Sequence, residues 1–569
     1  MGIGRHFAAG LLTAPLLFCS LARASVSHDF VRSFQTPKIL FPSEESDFMT
    51  INPGRYPGWM MTLFQDLLAW TPTGQKSNYS EGCRPEDLTR SMMESGDAKH
   101  QAQVIEEHKN RCQKSFENTR FLGPINTLKM MSMKFDVHQH ALIHPIVFKL
   151  PGSVKLKGLL ALKGDFKKRP FVIMRLGVFS NVEEFLPERY LLMQLFEQGL
   201  ANVLVLENTT GADYIANNQR WSMGGYDEGL QNLQVVKMLR SSASPLSQLI
   251  SSVHLMGISL GGHGVLFASL LNEYNGKIDK RPIQSFTAIC PVVNLKETME
   301  VLKAPGIKGL VVDHWASLRL AGLTNKIPRI LDMDWSETLK LEPVFLPKAI
   351  NYLLKMYAEF PPQRGNVELP PELEQVKDFW GVNNFWPLYR NNKSSVLVMA
   401  TVDDHLVPLE KNFNWLKNNS KSWQSDLGTV LFEKGYHCTL PVSYDWSTVA
   451  AMLNARVMSK DKNTRLKLRE VVLDISEQVT PENAHQIKDP IFDLSWPSAS
   501  EVLVEFKSSL GKVIFTVLLP VKELDFTFRD SLQKPEKASV ERWLNQNLQV
   551  KVDVAGNKIM AKIQWPSVL

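Results

Sequence analysis

Short apolar runs alternate with amphipathic helical segments between residues 128 and 294. The runs are five to eight residues long, which is typical of buried β-strands, and they lie at 145–149, 155–162, 171–176, 201–206, 253–257 and 286–292. Between the third and fourth runs, Ser180 and Glu183 form a candidate capping box before a helical pattern at 185–199. A second helical pattern follows Asp227. Because strand–helix–strand units join through right-handed crossovers, this alternation predicts an open, doubly wound, mostly parallel α/β sheet.

The sheet pattern stops after residue 294 and resumes with an apolar run at 396–400. The segment between them, 295–394, is too long for a plain connection and has a helical, aromatic-rich pattern, so it predicts an inserted helical cap. Its aromatic side chains are those of Trp315, Trp335, Phe345, Phe379, Trp380, Phe385 and Trp386. They either form an apolar lid over a site on the sheet or form the core of the cap itself. The second interpretation is favoured for most of them.

Two regions with other patterns flank the α/β segment, which we place at 128–458. Residues 25–127 have a mixed, mainly helical pattern and predict an N-terminal helical extension that packs on the sheet domain. Residues 459–569 predict a small C-terminal β-rich domain. Its candidate strands are 502–506, 512–519 and 524–528, with a hairpin that pairs 550, 552 and 554 with 559, 561 and 563, and a helix at 538–547.

Composition narrows the class of protein. The chain has 569 residues, of which 44% are hydrophobic and 21% are charged, so disordered, collagen-like and coiled-coil structures are excluded. The net charge of +6 is small for this length, and no dense basic block occurs. We therefore expect no nucleic-acid partner.

The first 24 residues have the pattern of a secretory signal peptide. An apolar run at 7–21 follows a short basic start and precedes the small-x-small sequence Ala22-Arg23-Ala24. We expect cleavage after Ala24 and a periplasmic or extracellular location. The alternative is a membrane anchor, but the run is shorter than the ~20 residues that span a bilayer.

Four cysteines follow the predicted signal peptide. The compartments that exported proteins reach are oxidising, so disulfides can form there. Cys83 and Cys112 lie in the same N-terminal extension and are predicted to form one. Unpaired thiols are one alternative. A bridge between Cys290 and Cys438 is another, since both cysteines lie near the same edge of the predicted sheet.

The strongest local signal is Gly257-Ile258-Ser259-Leu260-Gly261. It follows an apolar strand pattern and precedes a helical one, so the serine lies in a sharp strand-to-helix turn. Glycines two residues before and after the serine are needed because the backbone there is crowded. Such a turn exposes the serine hydroxyl above the sheet, where it can act as a nucleophile.

A nucleophilic serine needs a base and a carboxylate that orients the base. Asp404 follows the strand pattern at 396–400, and His437 follows the next strand pattern at 429–433. The order along the chain is therefore serine, aspartate, histidine.

These residues together resemble the α/β-hydrolase superfamily over about 128–458. The resemblance rests on the turn around Ser259, on the segment 404–408 and on the segment 435–437. It implies that Ser259 is the nucleophile, that His437 is the general base and then the acid, and that Asp404 holds the imidazole. Asp403 is the alternative acid.

The resemblance also implies an oxyanion hole built from two backbone N–H groups. Leu260, directly after the nucleophile, would supply one. The turn after the third strand would supply the other, with Val178 as the first choice and Gly177 as the alternative.

From these residues we expect an exported serine hydrolase that cleaves a carboxylic ester or a related acyl bond of a small or lipid-like substrate, without a cofactor. A peptidase or acyltransferase with the same triad is one alternative, and a non-catalytic binding protein is another. Membrane contact has no support in the sequence. A metal site is a weaker candidate and would use Asp136, His138 and His140, which share one face of a strand pattern.

Overall fold

A computed structural model of the protein describes most of the chain between residues 49 and 568. The described residues are 49–51, 79–117, 143–162, 168–182, 191–192, 195–196, 201–242, 244, 246–279, 282–320, 343–437, 439–461, 466–480, 491–498, 501–507, 513–520, 549–555 and 558–568. The predicted signal peptide, the strand at 524–528, the helix at 538–547 and most of the helix at 185–199 lie outside them.

A nine-stranded sheet forms the centre of the molecule. Its strands are β1 (Met49–Ile51), β2 (Ile143–Leu150), β3 (Val154–Ala161), β4 (Arg169–Arg175), β5 (Asn202–Leu206), β6 (Ile250–Ile258), β7 (Ser285–Ile289), β8 (Val396–Thr401) and β9 (Leu427–Phe432). They are arranged in the order β1-β2-β3-β5-β4-β6-β7-β8-β9. The strands β4 to β9 pair in parallel, and β1, β2 and β3 pair antiparallel at one side.

The apolar runs of the sequence correspond to these strands. The residues of β4, β5, β7 and β8 are all buried, because helices cover both faces of the parallel part of the sheet. The run predicted at 286–292 ends early, at Ile289. Cys290 has a left-handed φ of +45° and so turns the chain out of the sheet.

Fourteen α-helices are described. They are α1 (Pro85–Glu94), α2 (Ala98–Arg111), α3 (Gln113–Phe116), α4 (Ala212–Asn218), α5 (Gly225–Arg240), α6 (Leu260–Asp279), α7 (Leu295–Lys303), α8 (Ile307–Leu320), α9 (Phe345–Glu359), α10 (Pro371–Glu374), α11 (Phe379–Val382), α12 (Trp415–Ser420), α13 (Leu440–Ser443) and α14 (Trp446–Met458). One hydrophobic cluster lies between the sheet and α5 and α6. A second lies between the opposite face and α1, α2 and α14. The domain therefore has three layers.

The N-terminal helices α1 and α2 are part of this layered structure. The backbone N–H of Ala98 donates to Asp426 Oδ1 at 2.7 Å, and the N–H of Leu431 in β9 donates to Glu106 Oε1 at 2.9 Å. At Gly428, a Cβ atom would lie 2.0 Å from the carbonyl oxygen of Ala98, so only glycine allows this close approach. In the described residues, α1 and α2 therefore pack directly on the sheet.

Cys83 and Cys112 form the predicted disulfide, which links the start of α1 to the end of α2. Cys290 is a buried free thiol, so the alternative bridge between Cys290 and Cys438 is wrong.

The segment predicted as a cap contains the helices α7 to α11 and a 3₁₀ helix at Trp386–Asn391. Phe345 and Phe379 are buried in a third hydrophobic cluster formed largely by α7, α8 and α9. Phe385 and Trp386 are buried in the cluster beneath α5 and α6 instead. These aromatic side chains are therefore core residues, as the favoured interpretation predicts.

The C-terminal region forms two three-stranded antiparallel sheets. Their strands are β10 (Leu466–Asp474), β11 (Ile491–Ser498), β12 (Glu501–Lys507), β13 (Val513–Pro520), β14 (Gln549–Ala555) and β15 (Lys558–Val568). In the hairpin of β14 and β15, Val550 pairs with Ile563, Val552 with Ala561 and Val554 with Ile559. This register confirms the predicted hairpin.

This architecture is the α/β-hydrolase fold that the sequence predicts. It has a mostly parallel sheet, antiparallel strands on one side and helices on both faces. In the described part of the chain, no helix is both long and apolar enough to cross a membrane.

The disulfide provides a test of how the N-terminal helices are held. Replacing both Cys83 and Cys112 by serine removes a cross-link between residues separated by 29 positions. In the chain-entropy model, this lowers the free energy of unfolding by ~3–4 kcal/mol, which urea denaturation would measure. Reductant should destabilise the wild type equally and leave the double variant unchanged. Equal stability of the oxidised wild type and the variant would contradict the prediction.

Candidate active site

Ser259 lies in a strained turn between β6 and α6. Its φ is +55°, a left-handed value that is uncommon for a residue with a side chain. The turn is held by two backbone hydrogen bonds: Ser259 N donates to Ile289 O at 2.9 Å, and Val292 N donates to Ser259 O at 3.2 Å. The sharp strand-to-helix turn predicted from the sequence is therefore present.

The two glycines of the turn are required by close contacts. A Cβ atom at Gly257 would lie 2.4 Å from the carbonyl oxygen of Gly261. A Cβ atom at Gly261 would lie 2.2 Å from the carbonyl oxygen of Leu176, which follows β4. Because real Cβ atoms do not approach backbone oxygens this closely, a larger residue at either position would displace Ser259.

Asp404 and His437 are paired. Asp404 follows β8, His437 follows β9, and His437 Nδ1 lies 2.8 Å from Asp404 Oδ2. The other carboxylate oxygen of Asp404 accepts hydrogen bonds from the N–H groups of Leu406 at 2.8 Å and Val407 at 3.0 Å. The carboxylate is buried, so these bonds fix its orientation toward the imidazole.

Asp403 contacts the loop that carries the histidine. Its carboxylate accepts hydrogen bonds from Tyr436 N at 2.8 Å and from Gly435 N at 3.3 Å. Gly435 and Tyr436 both have left-handed φ values, +142° and +47°. Asp404 is therefore the aspartate at the imidazole, and Asp403 holds the strained loop just before His437.

The residues predicted to supply the oxyanion hole lie beside the serine. Leu260 is the first residue of α6, and Val178 lies in the turn after β4. Both line the same pocket as Ser259 and His437, whereas Gly177 does not line it. The N–H of Phe179 donates to Thr210 Oγ1 at 2.7 Å, which excludes Phe179 as an oxyanion donor.

The pocket above Ser259 has a volume of about 660 Å³, including its open mouth, and its walls are almost entirely apolar. The cap contributes Thr298, Met299, Leu302, Val312, Leu346, Ala349 and Ile350. The remaining wall consists of Val178, Phe179, Trp221, Met223, Leu260, Val292, Leu406 and Val407. The cap wall is thus aliphatic, and among the described residues the aromatic lid considered from the sequence is not present.

A buried polar cluster lies beneath the turn of Ser259. Arg175 and Glu228 are fully buried, with Arg175 Nε 3.7 Å from Glu228 Oε2. Burial raises the pKa of Glu228 to about 7, and the charge of Arg175 opposes this shift. Asn208 Nδ2 and Thr209 Oγ1 both donate to Glu228 Oε1, at 2.7 Å and 3.0 Å.

Sequence reasoning missed this cluster. Its acidic member, Glu228, is fully buried under the Ser259 turn. The signal that could have found it is a pair of acidic residues at the start of α5, a helix whose other residues are mostly buried.

Two further histidines lie near the site in the chain. His263 is buried behind the serine turn, with its ring 5.4 Å from that of Phe385, and burial lowers its pKa to about 4. His405 is exposed. The candidate metal ligands Asp136, His138 and His140 lie outside the described residues, and the described part of the chain contains no cluster of side chains suited to a metal ion.

Comparisons with known proteins find matches among solved structures. No protein-family model matches the sequence, and no curated protein sequence matches it significantly. An esterase from Pyrococcus furiosus is 14% identical with a TM-score of 0.32, and the match covers 56% of this chain and 91% of that chain. Est1E from Butyrivibrio proteoclasticus is 17% identical with a TM-score of 0.30, covering 55% and 96%.

An acylaminoacyl peptidase from Pyrococcus horikoshii is also similar. It is 13% identical with a TM-score of 0.32, and the match covers 56% of this chain and 42% of the peptidase. The assignment of the fold rests on the chain's own features. Its strand order, the strained serine turn after β6 and the Asp404–His437 pair at the ends of β8 and β9 identify an α/β-hydrolase fold.

Proposed function

We propose that the protein is a serine hydrolase that cleaves a carboxylic ester or a related acyl bond through an acyl-enzyme intermediate. The observation that carries the proposal is the contact between the buried Asp404 and His437, 2.8 Å apart, in a pocket that His437 and Ser259 both line. A serine hydroxyl becomes a useful nucleophile only when a positioned base removes its proton.

The geometry supports a two-step reaction. His437 takes the proton of Ser259 as the hydroxyl oxygen bonds to the acyl carbon, and Asp404 stabilises the resulting imidazolium. The N–H groups of Leu260 and Val178 stabilise the negative charge on the former carbonyl oxygen. His437 then gives the proton to the leaving alkoxide. A water molecule then attacks the acyl carbon, with His437 as the base. The bond to Ser259 breaks as His437 returns the proton to the serine oxygen, and the carboxylic acid is released.

The walls of the pocket favour an uncharged, apolar acyl group. Apart from His437, no titratable side chain is among the residues that line the pocket in the described part of the chain. Each methylene group that an apolar pocket removes from water contributes ~0.8 kcal/mol to binding. We therefore propose that the acyl chain of the substrate lies between the aliphatic side chains of α7, α8 and α9.

We also propose that the protein acts outside the cytoplasm. The proposal rests on the signal-peptide pattern of residues 1–24 and is consistent with the disulfide between Cys83 and Cys112, since disulfides persist in oxidising compartments.

The proposed reaction predicts covalent labelling. A fluorophosphonate probe should label the wild type and should fail to label Ser259→Ala and His437→Ala, because one variant lacks the nucleophile and the other lacks its base. Gel fluorescence measures the labelling, and circular dichroism checks that both variants are folded.

Three other outcomes would favour the alternative functions. A folded wild type that does not react with the probe would favour a binding protein. Faster cleavage of amides than of esters would favour a peptidase, and transfer to an added alcohol in preference to water would favour an acyltransferase.

The two adjacent aspartates should differ in their effects. Asp404→Asn leaves the imidazole without its charged partner, and such a change lowers kcat by ~10⁴-fold in a serine–histidine–aspartate site. Asp403→Asn keeps an oxygen that can accept from Tyr436 N, so kcat should fall by no more than ~10-fold. Steady-state hydrolysis of p-nitrophenyl butyrate compares them. The opposite order of the two effects would show that the assignment of the acid is wrong.

The acyl pocket predicts a dependence on chain length. Ala349 is buried in the pocket wall on α9, so Ala349→Leu should exclude about two methylene groups of the substrate. At ~0.8 kcal/mol each, the ratio of kcat/KM for octanoyl over butyryl esters should fall ~15-fold. Asn351→Leu, on the exposed side of the same helix, is the control. An unchanged ratio in Ala349→Leu would place the acyl chain elsewhere.

A further inference from the structure

The turn that carries Val178 is strained, and it is hydrogen-bonded to residues outside the turn. It consists of residues 176–180 and is called the oxyanion turn below. Phe179 has a left-handed φ of +60°, which a residue with a side chain keeps only when its surroundings enforce it. The bonds that enforce it identify the residues that determine the position of the Val178 N–H.

Asn208 bonds to both ends of the oxyanion turn. Its side-chain amide donates to the carbonyl oxygen of Leu176 at 2.9 Å, and its backbone N–H donates to the carbonyl oxygen of Ser180 at 3.1 Å. Val178 lies midway between these two anchors. Asn208 is fully buried, so water does not compete for these bonds.

Thr210 extends this support to the middle of the turn. Its hydroxyl donates to Asn208 Oδ1 at 2.5 Å and accepts the N–H of Phe179, the residue after Val178, at 2.7 Å. Thr210 N also donates to Asn208 Oδ1, at 3.0 Å. The amide of Asn208 is thereby fixed in one orientation, with its oxygen toward Thr210 and its nitrogen toward Leu176.

Glu228 connects this support to the helix that follows the nucleophile. It accepts the second N–H of the Asn208 amide at 2.7 Å, and a Cβ atom at Gly264 of α6 would lie 2.6 Å from Glu228 Cβ. The carbonyl oxygen of Leu176 is in turn the atom that Gly261 of α6 approaches closely. The position of the oxyanion turn relative to Ser259 is thus set by contacts through Asn208 and through Leu176.

We infer that Asn208, together with Thr210 and Glu228, is a positioning residue that holds the oxyanion turn so that the Val178 N–H faces the oxygen that becomes charged during acyl transfer. The inference rests on the proposed function. None of the three side chains lines the pocket, so their effect on the reaction passes through the turn.

Conservative variants of Thr210 test the inference with the least risk to folding. Thr210→Val removes the hydroxyl that links Phe179 N to Asn208, and Thr210→Ser keeps it. Loss of one oxyanion donor lowers kcat by 10²–10³-fold, so a displaced donor should lower kcat for p-nitrophenyl butyrate by ~10–100-fold in Thr210→Val. KM should change by less than ~3-fold, because the bound ester does not yet carry the charge, and Thr210→Ser should recover most of kcat. Asn208→Ala should lower kcat at least as much as Thr210→Val.

A matched control separates positioning from general destabilisation. Thr448 is equally buried, and its hydroxyl donates to Asp445 Oδ2 at 2.7 Å at the start of α14, away from the pocket. Thr448→Val therefore loses a comparable bond and should keep kcat within ~2-fold. Hydrogen exchange read by mass spectrometry should show faster exchange at 176–182 in Thr210→Val and unchanged exchange there in Thr448→Val.

The outcomes distinguish this inference from the proposed function. If turnover requires Ser259 but Thr210→Val and Asn208→Ala keep wild-type kcat, or if Thr210→Ser is no better than Thr210→Val, the positioning role is wrong and the hydrolase function stands. If the wild type shows no turnover that Ser259→Ala abolishes, the proposed function fails and the positioning role fails with it.

Discussion

The close approach of Gly261 to the carbonyl oxygen of Leu176 is the contact on which the rest of the site depends. The approach leaves no room for a Cβ atom, and it brings the first turn of α6 against the end of β4. Ser259 directly precedes α6, and Val178 lies in the turn that follows β4. In the proposed reaction, the nucleophile and the oxyanion donor must both lie about 3 Å from the reacting group, so this backbone contact sets the distance between them. The left-handed φ values of Ser259 and Phe179 are the strain that accompanies it.

Buried polar groups contact the strained backbone on both sides of this approach. Arg175, Asn208 and Glu228 are all fully buried, and burying charged groups is costly unless they are paired. An apolar core could fill the same space, but it could not hydrogen-bond the carbonyl oxygens and N–H groups of the turn. A polar cluster beneath the Ser259 turn is therefore consistent with a role in fixing the backbone.

The two adjacent aspartates also make different kinds of contact, one with a side chain and the other with the backbone. Asp404 orients the imidazole of His437, while Asp403 binds the backbone of the loop that carries the histidine.

The cap contributes aliphatic side chains to the pocket, and its aromatic side chains remain in hydrophobic clusters. Large aromatic rings fill the core of a small helical cap efficiently, because each buries much apolar area, so few of them are left to line a cavity.

The sequence by itself determined the local and periodic features. The apolar runs predicted the strands from β2 to β9, the spacing of Gly257 and Gly261 predicted the serine turn, and the alternation around 550–563 predicted the register of the C-terminal hairpin. The order of Ser259, Asp404 and His437 could also be read from the sequence, since each follows its own strand pattern. These features depend on residues close to one another in the chain, where steric and hydrophobic preferences act directly.

Only the tertiary structure decided between the remaining alternatives. The choice of Asp404 over Asp403 at the imidazole depends on which way two adjacent side chains point after β8, and neighbouring positions in a sequence do not reveal this. The bond between Glu228 and Asn208 joins residues 20 positions apart that only the packing of α5 against the face of the sheet brings together. The aliphatic pocket wall also depends on long-range packing. It is assembled from α7, α8 and α9, whose contacting faces are not determined by local pattern.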